Sequence, residues 1–174
     1  VLGAGSWGTT LALVLLHNNH DVILWAYTRE QTDVLRERHE NPEFLPGIPL
    51  PPNLKFSNDI EAASQGRDMI VTAVPSQFLR SVIQKIAHLD LEHTIICNVA
   101  KGIENSTLMT MSEVLLDVLQ SERKENIAIL SGPSHAEEVS RQMPTAVVAG
   151  SFKPKTSKIV QDAFMTKYFR IYVN

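Results

Sequence analysis

Three glycines within eight residues, Gly3, Gly5 and Gly8 of "VLGAGSWGTTLALVLL", constrain this chain more than any other feature. The G-x-G-x-x-G spacing suits a strand-to-helix turn around a pyrophosphate. The first glycine permits the tight turn, the second lets backbone amides approach the phosphates, and the third lets helix and strand pack closely. Alone the pattern is weak, so its context decides. Gly8 reads as the opening of a helix, with Leu11, Val14 and Leu15 at helical spacing and "HNNHD" ending it. The run "DVILWA" (21–26) then arrives where a βαβ unit of about 30 residues needs its second strand. The first turn of that helix presents unpaired amides and the positive end of its dipole to an anion. Only Val1 and Leu2 precede the turn, so the sequence is expected to begin part-way into its first strand.

Further β-branched runs recur along the chain: "DMIVTAV" (68–74), "HTIICNV" (93–99), "NIAILS" (126–131), "TAVVAG" (145–150) and, within "KYFRIYVN" (167–174), one more. Near-continuous apolar runs suit strands buried on both faces. Between them, Leu108, Met111, Leu115 and Val118 share one helical face in "STLMTMSEVLLDVLQSE" (106–122). Phe78, Leu79, Val82, Ile83 and Ile86 do the same after Pro75. The expected fold is α/β: a Rossmann-like, doubly wound, mostly parallel sheet with helices on both faces. The stretch "NPEFLPGIPLPPNL" (41–54) holds five prolines and reads as a loop.

At 174 residues the chain accommodates one domain with a sizeable core. Sixteen basic against nineteen acidic residues, a net charge of -3, offer no footprint for nucleic acid or an anionic membrane surface. The apolar runs are too short to span a membrane. A single cysteine, Cys97, excludes an internal disulfide and fits a reducing compartment, which favours the cytoplasm.

Ligands of such folds gather where strands end at the carboxyl edge of the sheet. The second strand ends in "LWAYTRE", with no carboxylate from Trp25 to Thr28 to hold a ribose hydroxyl. Arg29 follows, which tilts the reading to NADP over NAD through charge-assisted bonds to a 2′-phosphate; a solvated first-turn residue is the alternative. Tyr27 is placed to cover the adenine in either case. In "TAVPS" (72–76), Val74 and Pro75 wall the nicotinamide or form a plain turn. In "NVAKGIE" (98–104), Lys101 offers a point charge for a phosphate or a carbonyl. In "LSGPSHAEEV" (130–139), Gly132 and Pro133 turn the chain, and Ser134, His135 and Ala136 start a helix whose amides suit an anion. His135 has no orienting partner in the sequence and reads as solvated. The other histidines show no metal spacing; His17 and His20 read as a polar helix stop, and Cys97 as inert core. No metal site, Walker lysine or nucleophile elbow is expected.

Together, "GAGSWGTTLA", "VILWAYTRE", "NPEFLPGIPLPPNL", "AVPSQFLRSVI", "AKGIE" and "SGPSHAEEV" resemble the N-terminal domain of NAD(P)-dependent glycerol-3-phosphate dehydrogenase of the bacterial type, over essentially the whole chain. The resemblance implies hydride transfer between NAD(P)H and dihydroxyacetone phosphate or sn-glycerol 3-phosphate, serving phospholipid synthesis. It implies cofactor contacts from Ser6, Trp7 and Ala136, cofactor and substrate contacts from Lys101, and substrate contacts from Gly132 and Ser134. Tyr27 falls where the family commonly has Arg or His, and Arg29 is placed to compensate. The family's catalytic lysine lies in a "G-x-x-K-N"-like segment of a helical C-terminal domain, and no such segment occurs in 1–174. The chain is therefore expected to be a dinucleotide-binding domain cut at both ends and inactive alone, from a protein that forms a homodimer when whole. Two rival readings stay open: a related dehydrogenase of a 3-hydroxy acid, sugar acid or ketopantoate, and a non-catalytic dinucleotide-binding module.

Overall fold

The chain enters its first helix, α1 (Ser6–His17), directly from the glycine turn, with Gly5 as N-cap. The computed structural model describes all of residues 1–174 except the side chains of 121 and 122. After α1 come β1 (Ile23–Trp25), α2 (Arg29–Arg38), β2 (Glu40–Asn41), β3 (Leu45–Pro49), β4 (Lys55–Ser57), α3 (Ile60–Ser64) and β5 (Met69–Thr72). A 3-10 turn over Ser76–Phe78 leads into α4 (Leu79–Gln84), followed by β6 (Ile95–Asn98) and α5 (Met111–Leu119). The chain finishes with β7 (Ile127–Ser131), α6 (Ala136–Ser140), β8 (Thr145–Ser151), α7 (Pro154–Phe164) and β9 (Phe169–Val173).

Each strand expected from the apolar runs forms, one or two residues shorter than its run at most ends, while β8 runs one residue beyond its own. β1 pairs in parallel with β4, and β5, β6 and β7 pair in parallel with one another. β8 runs antiparallel to β7, and β9 is parallel to β8, so the sheet is mixed and mostly parallel. Leu2 joins the two parts by parallel bridges to Trp25 and Thr72, with its N–H donating to the Val71 carbonyl at 2.7 Å. The order across the sheet is therefore β4, β1, Leu2, β5, β6, β7, β8, β9. Leu2 stands where the order reverses, the crevice in which open α/β sheets place their ligands.

Both faces of the sheet are covered, which explains the apolar runs. Val71, Cys97 and Leu130 pack with Leu11 and Leu15 of α1 and Phe164 of α7. On the same three strands, Ile70, Ile96 and Ile127 point the other way, onto Leu79 and Ile83 of α4 and Leu115 of α5. Each such side chain contributes about 1.5–3 kcal/mol on burial.

Three local expectations are corrected. The helix expected from Leu108 begins at Met111; Leu108 has φ 61° and is 71% exposed. Its N–H donates to the Glu104 carbonyl at 2.8 Å, closing a turn in place of a helical repeat, and the buried face is Met111, Val114, Leu115 and Leu119. The last two residues of that sequence pattern, 121 and 122, have side chains outside the description. Phe78 belongs to the 3-10 turn and is exposed, while Leu79, Val82 and Ile83 form the buried face of α4. The proline-rich stretch contains strand structure: β3 pairs antiparallel with β2, aligning Glu40 with Pro49 and Asn41 with Leu45. A short two-stranded edge tolerates proline, because the missing ladder donor faces away from any third strand.

Candidate functional site

The three glycines of the turn divide two tasks. A Cβ on Gly3, at φ +113°, would lie 2.8 Å from the Ala73 carbonyl oxygen, and one on Gly8 would lie 1.9 Å from the Gly3 carbonyl oxygen. These two glycines let the turn, α1 and the β5 end touch. A Cβ on Gly5 would meet nothing within 4 Å, so Gly5 leaves an open approach. Gly5 caps α1 without a side chain, and the first-turn amides of Ser6, Trp7 and Gly8 have no acceptor within the helix. They are available to an anion at the positive end of a twelve-residue helix. The turn is braced from behind: the Ala4 carbonyl accepts from Gln31 Nε2 at 3.0 Å and from Asn41 Nδ2 at 2.9 Å. The buried Asn41 amide also donates to Thr9 Oγ1 at 2.8 Å, tying the β2–β3 hairpin to α1.

The turn floors a cleft of about 1060 Å³. At one end, after β1, the exposed Tyr27 ring stands edge-on to Trp25 with centroids 6.1 Å apart. Lys85 Nζ lies 5.4 Å from the Tyr27 ring centroid. At the other end, after β6, Lys101 Nζ donates to the Ser134 carbonyl at 3.3 Å. Phe44, Val74, Pro75 and Phe78 provide apolar wall between them.

The segment carrying Lys101 is held on both sides. Before it, Thr72 Oγ1 donates to Asn98 Oδ1 at 2.9 Å and Asn98 Nδ2 to the Ala100 carbonyl at 3.0 Å, all within the sheet edge. After it, Glu104 is 5% exposed and its carboxylate accepts from Arg80 Nε at 2.9 Å and Thr107 Oγ1 at 2.6 Å. The Arg80 guanidinium, and then the Thr107 hydroxyl, hold the Glu104 carboxyl below the usual carboxylate range. Arg80 also bonds Asp117 on α5, and these carboxylates raise its already high pKa.

Of the residues singled out in the sequence, Gly3, Gly5, Ser6, Trp7, Tyr27, Val74, Pro75, Lys101, Ser134 and Ala136 line this cleft. Gly8 lies beneath the turn, and Gly132 packs on β8, where a Cβ would be 2.9 Å from Val147 Cα. Arg29 stands off the cleft: its side chain is 81% exposed, with Nε 3.7 Å from Asp33. His135 is exposed at the start of α6 and lies on the cleft wall, and that helix is a single turn of five residues. Cys97 is fully buried, and burial pushes its thiol up to about 12. Sequence reasoning missed Gln31, Asn41, Phe44 and Lys85. A polar residue on an amphipathic helix carries no mark that it faces a cleft, and Asn41 and Phe44 were hidden among the prolines. Among the described residues no cluster of three His, Cys, Asp or Glu side chains is arranged to hold a metal ion.

A family model described as NAD-dependent glycerol-3-phosphate dehydrogenase N-terminus matches residues 1–157. The chain belongs to this family. Glycerol-3-phosphate dehydrogenase [NAD(P)+] of Agathobacter rectalis is 48% identical over 175 residues, covering all of this chain and 51% of the relative. That of Chlorobium phaeobacteroides is 49% identical over 174 residues, covering all of this chain and 52% of the relative. The chain thus spans about half the length of the curated relatives it matches. The crystal structure of the Coxiella burnetii glycerol-3-phosphate dehydrogenase superposes with a TM-score of 0.90 at 35% identity, over 99% of this chain and 52% of that one. The fold alone extends further, to a UDP-D-ManNAc dehydrogenase from Pyrococcus horikoshii at a TM-score of 0.79 and 15% identity, over the whole of this chain and 46% of that one.

Proposed function

We propose that this chain is the cofactor-binding half of an NAD(P)-dependent oxidoreductase that interconverts dihydroxyacetone phosphate and sn-glycerol 3-phosphate. The carrying observation is the cleft itself, floored by the unpaired first-turn amides of α1 and flanked by Tyr27 at one end and Lys101 at the other. Its residues fit a dinucleotide. Bare Gly5 leaves room for a pyrophosphate at the amides, and about 1060 Å³ lies at the upper end of ordinary ligand clefts. The nicotinamide, when bound, supplies or accepts the hydride.

The protein's part is to hold, orient and dry. Val74 and Pro75 give the wall between the two ends an apolar surface, against which a bound ring would displace water and an electrostatic contact would strengthen. The Lys101 ammonium, steered by the Ser134 carbonyl and by the bracing of Asn98 and Glu104, presents a point charge to a substrate oxygen. Ser134 and Gly132 shape the substrate side of the same edge, and Ala136 the cofactor side. The proton relay is assigned to the half of the relatives that this chain does not span. The single buried thiol suits work in the cytoplasm, and no helix among the described residues is long and apolar enough to cross a membrane. Assembly as a homodimer is proposed for the whole protein.

The test uses Trp7 and Trp25, both on the cleft. Titration with NADH and with NADPH is expected to quench tryptophan emission saturably; failure of both to bind would overturn the reading. Residues 1–174 are expected to bind dinucleotide without reducing dihydroxyacetone phosphate. Turnover near that of full-length relatives would defeat the assignment of the proton relay to the other half.

A further inference from the structure

We propose that Lys85, and not Arg29, is the cation that reads the adenosine end of the dinucleotide and gives this domain its preference for a 2′-phosphorylated cofactor. The inference rests on the cleft being a dinucleotide site.

Topology assigns the two ends. The glycine turn follows Leu2, with β1 on one side of it and β5, then β6, on the other. At about 4.8 Å per strand, the β1 and β6 ends lie about 14 Å apart. A dinucleotide with its pyrophosphate on the turn must send one half each way, and the ribose next to the adenine goes to the strand that follows the first helix. That end carries Tyr27.

Charge then decides which adenosine is accepted there. A carboxylate at the end of β1 would hold the two ribose hydroxyls and repel a phosphate, but Trp25, Ala26, Tyr27 and Thr28 supply none. Among the described residues on the cleft, Glu137 alone is acidic, and it sits beside Ala136 on α6, at the Lys101 end. Arg29 is turned away and lies against Asp33.

Lys85 meets the requirement from an unexpected element. Phe78 just before α4, Ser81 and Val82 within it and Lys85 just after it all line the cleft, so this side of the helix faces it. Lys85 forms no ion pair among the described residues, and its ammonium rests 5.4 Å from the Tyr27 ring centroid. The ring's negative face holds the cation at this end without neutralising it, which leaves its N–H donors for a phosphate. Tyr27 thus has two partners to offer, its own ring to the adenine and the lysine to the 2′-phosphate.

The experiment compares 2′,5′-ADP with 5′-ADP, and NADPH with NADH, on the full chain by calorimetric or fluorescence titration. The wild type is expected to prefer the 2′-phosphorylated member of each pair. Lys85→Gln, which keeps the length and removes the charge, should lower that preference about tenfold or more. Arg29→Gln should leave it in place. Binding of NADH with no preference for NADPH, or a preference that survives Lys85→Gln or collapses in Arg29→Gln, overturns the proposal and leaves the dinucleotide reading standing. Failure of the wild type to bind any of the four brings down both.

Discussion

Gly5 and Gly8 stand three residues apart in one turn, yet a methyl group added to each meets different surroundings. At Gly8 it would press to 1.9 Å of a backbone oxygen that has nowhere to go. Gly8→Ala is therefore expected to destabilise the domain by about 1–3 kcal/mol or more, read as a lower urea midpoint. At Gly5 the same methyl enters open space, so Gly5→Ala should hold stability to within about 1 kcal/mol and still weaken NADH and NADPH binding. Equal losses of stability in both variants would show that the glycines act only through packing. Cys97 makes a second residue-level prediction. With its thiol raised to about 12 and fully buried, it should react with a thiol reagent at pH 8 only as fast as the protein unfolds. Fast labelling of the native chain would contradict the burial described above.

At the scale of elements, the decisive contact is the one between α4, α5 and the segment after β6. Arg80 reaches from α4 to Glu104 and to Asp117, and so ties the loop beyond Lys101 to two helices. Because Glu104 is held below its unfolded value near 4.3, the unfolded chain binds the extra proton first. The stabilisation is present above that value and is lost as pH falls through the folded value. Thermal melts of Glu104→Gln should therefore show a lower midpoint than wild type at pH 7, with the gap closing below about pH 4. A gap independent of pH would mean that shape, not charge, is what Glu104 contributes.

Across the whole molecule, the far edge of the sheet supports the site. The Phe169 ring on β9 meets Trp7 edge-on at 6.1 Å, and Asn18 Nδ2 at the end of α1 donates to the Ala163 carbonyl at 2.8 Å and to the Met165 carbonyl at 3.1 Å. α1 is thereby fixed by the last helix and strand as well as by its own turn. Phe169→Ala is expected to cost about 3–5 kcal/mol in urea denaturation and, in the folded protein, to shift the Trp7 emission and weaken dinucleotide binding. Unchanged Trp7 emission in the native variant would show that β9 stabilises the fold without reaching the site.

The glycine spacing, the buried apolar runs and the motifs at the strand ends were enough to foresee an α/β sheet, six of its strands, and candidate residues Ser6, Trp7, Tyr27, Val74, Lys101, Ser134 and Ala136 that line one cleft. These signals are local, because backbone conformation and a two-sided burial pattern are written in neighbouring residues. The antiparallel turn of β8, the pairing of β2 with β3 and the exposed Leu108 were not legible, since each depends on which distant segment supplies a partner. The same holds for charge at the site. Arg29 sits next to the right strand and points to solvent, whereas Lys85, 56 positions further on, lies over Tyr27. Sequence determined the fold class and the glycine turn; only the packing of α4 across the crevice decided that Lys85, and not Arg29, would face Tyr27, because direction in space is set by the whole fold and not by proximity along the chain.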